Sequence, residues 1–191
     1  MIKRESLLSL EEYARQRPQF RARVIEHKKR RTLHLGEHVT LQFEDELTIR
    51  YQVQEMLRIE RIFEDEGIRG ELEAYNPLVP DGANWKATMM IEYPDEAERR
   101  SMLAQLKGIE RRVWAQAQGC ERAYAVADED LERENDEKTS AVHFLRFELS
   151  APMREALRAG AALSFGVEHP GYSAAAEAGA EVRASLVSDL A

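Results

Sequence analysis

A single cysteine, Cys120, leaves the chain without an internal disulfide and without the thiolates of a Cys-rich metal site. A reducing compartment suits such a chain. No run of roughly 18 apolar residues occurs. The N-terminus, where Lys3, Arg4 and Glu5 precede a short Leu7-Leu8 pair, lacks the apolar stretch of a secretory signal. A cytosolic protein is expected. With 191 residues, six prolines and ten glycines, 43% hydrophobic and 32% charged, the sequence fits one compact domain, or one domain with an arm, rather than a two-domain enzyme.

The signatures of several enzyme classes are missing as well. No G-x-x-x-x-G-K-[ST], G-x-G-x-x-G or G-x-S-x-G occurs, nor the Glu-x-x-His of di-iron bundles. Nucleotide hydrolysis, dinucleotide binding and Ser-based acyl transfer lose their usual sequence support. Acidic residues are plentiful, but no spacing singles out a carboxylate pair.

What is present is an uneven charge. The formal net charge is -8, yet residues 1–31 carry ten Lys or Arg against four Glu. A basic N-terminal helical arm, 1–31, on an acidic domain, 32–191, is therefore expected. Arg21, Arg23, Lys28 and Arg30 are its candidates for docking on a partner protein. A solvated helix face is the plainer reading of the same residues, and nucleic acid is a weaker one on so acidic a chain.

Periodicity predicts the elements. Ser9-Leu10-Glu11-Glu12 reads as a capping box opening a helix, and Pro18 is placed in the first turn of a second helical stretch. Alternation at 33–35 and 39–43 around Gly36-Glu37 predicts a hairpin. Ile49, Val53, Met56, Leu57, Glu60 and Phe63 share a helical face that Gly67 and Gly70 would end. Residues 70–85 read as an irregular connection. A strand at 87–93, a helix capped by Asp95, a hairpin over 109–128 and an exposed loop at 129–138 follow. Then come a strand at 142–149, a helix capped by Ser150, a strand at 163–169, an Ala-rich tether or weak helix at 173–180, and a closing helix. The class is α+β: a mainly antiparallel sheet of about six to seven strands with helices packed on it.

Five histidines and two tryptophans are the residues to weigh for chemistry. His34-Leu35-Gly36-Glu37-His38 matches H-x-x-E-H, which binds zinc only on a helix; Gly36 and the flanking alternation favour a hairpin instead. His143 lies in phase with Leu145 and Phe147, either as a satisfied core histidine or grouped with Glu134, Lys138 and Thr139 to hold an anion or pass a proton. His169 and Tyr172 flank a Pro-Gly turn, and Trp85 with Lys86 ends the long connection. Trp85, Lys86, His143, Arg146, His169 and Tyr172 are the ligand-binding candidates, if they converge on one cavity. No metal or cofactor is expected.

Four longer strings add a resemblance. Arg21-Ala22-Arg23-Val24-Ile25 follows Glu12-Tyr13, and Arg50 to Arg58 reads RYQVQEMLR. Asn76 to Pro80 precedes WKATMMIEY from Trp85 to Tyr93, and Lys138 to Phe147 reads KTSAVHFLRF. Together they resemble a bacterial family known as domain of unknown function 3501, over nearly the whole chain. The resemblance implies no particular reaction. It implies a gene neighbourhood of rubrerythrin-like proteins and of iron-sulfur proteins related to heterodisulfide reductase subunits. The expected function is therefore a non-enzymatic accessory protein docking on a redox or iron-sulfur partner. The alternative is a small-molecule enzyme or sensor with a pocket around His143, His169 and Trp85. A DNA-associated regulator acting through residues 15–31 comes third.

Overall fold

The computed structural model describes residues 1–129 and 133–191. These fall into two compact units, 1–30 with 44–80 and 31–43 with 81–191.

The first unit is helical, with α1 (Leu10–Lys29), α2 (Glu46–Ile59) and α3 (Asp65–Tyr75). The predicted capping box is in place: Ser9 Oγ accepts from the Glu12 amide at 3.2 Å, and the Glu12 carboxylate from the Ser9 amide at 3.3 Å. Asp45 and Thr48 form a second box at the start of α2. Pro18 lies inside α1 and does not open a separate helix. Ala14, whose carbonyl loses its partner, and Pro18 itself are both exposed, so the defect sits on the wet side of the helix. Gly67 and Gly70 do not end α2 either; they lie within α3. The break comes at Arg61, with φ of +54°, where the Ile62 amide turns back to the Leu57 carbonyl at 2.9 Å. Phe63, expected on the buried face, is consequently exposed. Ile49, Val53, Leu57, Ile68 and Leu72 close with Ile2 and Leu7 into a core.

The second unit holds nine strands and three helices among the described residues: β1 (Thr32–Leu35), β2 (Val39–Glu44), β3 (Asn84–Ile91), α4 (Glu96–Gln105), β4 (Val113–Ala117), β5 (Ala123–Tyr124), β6 (Val126–Ala127), β7 (Val142–Glu148), α5 (Ala151–Arg158), β8 (Leu163–His169), β9 (Tyr172–Glu177) and α6 (Ala180–Val187). They form two antiparallel sheets, ordered β1-β2-β3-β7-β6 and β5-β4-β8-β9. The class is α+β, but two sheets stand where one was expected. The hairpin predicted over 109–128 is divided between them. β5 pairs with β4 while β6, one residue later, pairs with β7. Alternation reports which side chains point inward, not which strand lies alongside.

The inward faces meet in one aromatic core. Phe165 of β8 lies 4.9 Å from Phe43, 5.7 Å from Trp85 and 5.8 Å from Phe147, measured between ring centroids. The Trp85 indole donates to the Leu186 carbonyl of α6 at 2.9 Å. Arg31, 1% exposed, is also fixed to this end of the unit, donating to the Phe43 carbonyl at 3.1 Å and to Asp189 at 2.5 Å.

Three further expectations change. Residues 173–177, expected as tether or weak helix, belong to strand β9, paired with β8 from His169↔Tyr172 to Ser164↔Glu177. The irregular connection at 70–85 is shorter, because α3 runs to Tyr75, a 3-10 turn covers Asn76–Leu78, and β3 already starts at Asn84. Of the loop expected at 129–138, residues 130–132 lie outside the described residues. No helix among the described residues is long and apolar enough to cross a membrane.

Candidate functional site

The second unit carries a cleft of about 680 Å³ lined by Lys107, Gly108, Arg111, Arg112, Tyr124, Glu168, His169 and Pro170. Its basic wall follows from how α4 ends. Gly108 adopts φ of +79°, the left-handed conformation that stops a helix. A 3-10 turn, Ile109–Arg112, then leads into β4. Ile109 is buried, whereas Arg111 and Arg112 are both exposed. Two adjacent arginines on a strand would point to opposite faces; the turn lets both stand at the cleft. Arg111 also lies 3.4 Å from the carboxylate of its buried neighbour Glu110. The loop behind them is tied down, with the Gly108 amide donating to Glu134 at 2.8 Å and the Lys107 ammonium to the Asp136 carbonyl at 3.2 Å.

The opposite wall comes from the outward positions of β8 and β5. Leu163, Phe165 and Val167 point inward, so Gly166 and Glu168 point out. Trp114 of β4 lies flat against Gly166; a Cβ there would stand 2.3 Å from the indole ring. The Arg122 guanidinium lies over that indole, 4.0 Å from the ring centroid. Its neighbours are the Tyr124 hydroxyl and Glu168, which pairs with it at 2.5 Å. Those two partners, Tyr124 first, push its pKa upward. Glu168 thus faces the cleft already neutralised by an arginine outside it. Lys107, Arg111 and Arg112 are the cationic residues of the lining and Glu168 its carboxylate, with Arg111 lying beside Glu110 and Lys107 bonded to the Asp136 carbonyl.

His169 closes the end of the cleft as a fixed wall. Its Nε2 donates to the Lys107 carbonyl at 3.0 Å and its Nδ1 accepts from the Gly171 amide at 3.1 Å. Both nitrogens are engaged.

The other sequence candidates lie elsewhere. Trp85 is fully buried in the aromatic core. Lys86, its neighbour on β3, points to the other face, opposite Arg146 in register. Burial, and then the Arg146 charge, push the Lys86 ammonium pKa down. Arg146 itself is held by both carboxylate oxygens of Glu129, at 2.8 and 2.9 Å, and by Glu148. Tyr172 seals the β1–β2 turn: its hydroxyl donates to the Leu35 carbonyl at 2.5 Å and accepts from the His38 amide at 3.0 Å. His38 stacks on Tyr93 at 3.9 Å, and His34 bonds Thr40 across the hairpin. Among the described residues no group of three His, Cys, Asp or Glu side chains is placed to hold a metal ion.

His143 sits in a carboxylate-imidazole-hydroxyl chain that shares the connectivity of a hydrolytic triad and nothing more. Its Nδ1 lies 2.6 Å from Asp128, and its Nε2 3.1 Å from the Thr139 hydroxyl and 3.0 Å from the Ser140 carbonyl. A nucleophile must reach substrate, yet His143 is 0% and Thr139 1% exposed. The Asp128 carboxylate also accepts from the Phe144 amide and pairs with Arg133. The group clasps residues 128, 133 and 139–144 together. Of the three residues that sequence proximity groups with His143, Thr139 joins it, Glu134 turns to Gly108, and Lys138 is exposed.

Arg21 and Arg23 of α1 are exposed, as is Arg30 just past its end, and Lys28 is half-buried. A helix turns about 100° per residue, which sets Arg21 and Lys28 on one flank and Arg23 on the other.

Fold and cleft together define an α+β protein with a helical unit and a two-sheet unit carrying a basic cleft. The chain belongs to the family described as protein of unknown function DUF3501, whose model matches residues 1–190. It is similar to a solved protein of Burkholderia pseudomallei K96243, described as a novel protein of unknown function. The two are 57% identical, with a TM-score of 0.94, over 100% of this chain and 99% of the other. No curated protein matches the sequence.

Proposed function

We propose that the chain is a binding protein and that its two-sheet unit takes a small anionic molecule in the basic cleft. The observation that carries this reading is the convergence of Lys107, Arg111 and Arg112 on one cavity of a chain whose net charge is -8. A local positive field on an acidic body concentrates small anions there and repels polyanions elsewhere. Calorimetric titration with inorganic pyrophosphate tests it. Saturable binding that weakens with added salt, and that is lost in Arg111→Ser/Arg112→Ser, is the expected result. A flat titration of the folded protein at millimolar pyrophosphate refutes it.

A second reading keeps the chain as an accessory to a rubrerythrin-like or iron-sulfur protein. The exposed guanidinium groups of Arg21, Arg23 and Arg30 support docking on an acidic surface. They offer two flanks of a helix rather than one patch, so the cleft carries the first reading. Retention of either partner on the immobilised chain at low salt is the test of the second, and failure of both to bind removes it. The free Cys120 supports a cytosolic setting.

A further inference from the structure

We infer that the anion taken by the basic cleft carries a planar ring, as a nucleoside diphosphate does, and that Tyr124 is the surface on which the ring lies. The inference rests on the proposed anion-binding reading and adds a second part to the ligand.

A cleft of about 680 Å³ lies within the range of roughly 300 to 1,000 Å³ that holds ligands of drug size, larger than a bare oxyanion needs. Lys107, Arg111 and Arg112 supply charge, whereas Tyr124 and Pro170 supply apolar surface in the same cavity. Tyr124 is 49% exposed, in a unit whose Phe43, Trp85, Phe147 and Phe165 are buried.

This exposed ring is carried on a paired strand. Tyr124 pairs with Trp114 in the β4–β5 ladder, and its near neighbour Arg122 is fixed by the Trp114 ring and by Glu168. A ring with only two rotatable bonds on a paired strand loses little freedom on binding. Stacking of a base on an aromatic side chain then adds affinity without demanding a particular base.

ADP, pyrophosphate and adenosine, titrated separately into the full chain, test the inference. ADP is expected to bind about tenfold more tightly than pyrophosphate, the fold-change one stacked base supplies. Adenosine, which has the ring without the charge, should bind more weakly than either anion. Tyr124→Ala should bring the ADP affinity down to that of pyrophosphate, and Tyr124→Phe, which keeps the ring, should retain most of the advantage. Circular dichroism of both variants establishes that they are folded. If pyrophosphate binds and ADP binds no better, the ring is refuted and the anion-binding reading stands. If ADP's advantage survives Tyr124→Ala, Tyr124 is not the platform and the inference fails. If neither anion binds, both readings fall.

Discussion

Adding one methyl group to β8 at Gly166 should disturb the cleft from behind. A Cβ at this position would stand 2.3 Å from Cζ2 and 2.5 Å from Cε2 of Trp114, far inside contact distance. Gly to Ala within a strand ordinarily gains about 0.5 to 1 kcal/mol by restricting the unfolded chain. Here the indole, 5% exposed and covered by Arg122, has to move. Overpacking of this kind costs about 1 to 3 kcal/mol, so the clash outweighs the gain and Gly166→Ala destabilises. Urea unfolding followed by circular dichroism measures the loss. The mechanism is isolated in a Trp114→Leu background, where the same Gly to Ala change should cost less than about 0.5 kcal/mol. Equal losses in the two backgrounds, or none in the wild type, would show that Trp114 and Gly166 are not packed as described.

Other perturbations probe other parts. Asp189→Ala removes a carboxylate bonded to the buried Arg31 guanidinium and should cost about 3 kcal/mol in the same unfolding assay; a loss below about 1 kcal/mol contradicts the pairing. In the helical unit, Arg17, with Tyr13 and Arg58, holds the Glu55 carboxyl down to about 2 from an ordinary 4.5. A carboxyl depressed in the folded state stabilises above its unfolded pKa and loses that contribution as pH falls, here between 4.5 and about 2. Glu55→Gln should therefore flatten the stability profile in that window and lower stability at pH 7 by on the order of 2 kcal/mol. An unchanged acid limb counts against the assignment. Asp128→Ala removes the acceptor of His143 and of the Phe144 amide at a residue with φ of +50°. A loss of about 2 kcal/mol or more is expected, with Asp128→Asn milder because its amide oxygen still accepts and Asn tolerates that backbone; equal losses for the two would refute the hydrogen-bonding account.

Local rules were legible wherever a few neighbours decide the outcome. Ser9, Asp95 and Ser150 cap helices as their positions predict, because the bond involved spans three residues. The β1–β2 hairpin is likewise legible from alternation around Gly36. Outcomes set by distant partners were not. Ser173 to Ala176 has the composition of a weak helix, but the free edge of β8 recruits it as a strand, and tertiary pairing overrides alanine's propensity. Residues 44–80 likewise group with 1–30 across an intervening hairpin, a discontinuity that no periodicity signals.

The cleft was hidden for a related reason. Histidine and tryptophan attract attention by their chemistry, but this fold uses those side chains mostly as structure. Trp85 fills the core, His143 clasps a loop, and His169 spends both nitrogens on backbone groups. Only His169 of the six sequence candidates borders the cavity. The charged groups that line it are the common ones, Lys107, Arg111 and Arg112, which among 27 basic residues carry no individual signal. Their meaning comes from position: a left-handed glycine and a 3-10 turn put two adjacent arginines on the same side, facing a tyrosine from another strand. Reading Ile109 to Ala117 as strand from its first residue sends those arginines to opposite faces and dissolves the site. The local conformation of four residues therefore decides whether the charge is dispersed over a surface or gathered into a cleft.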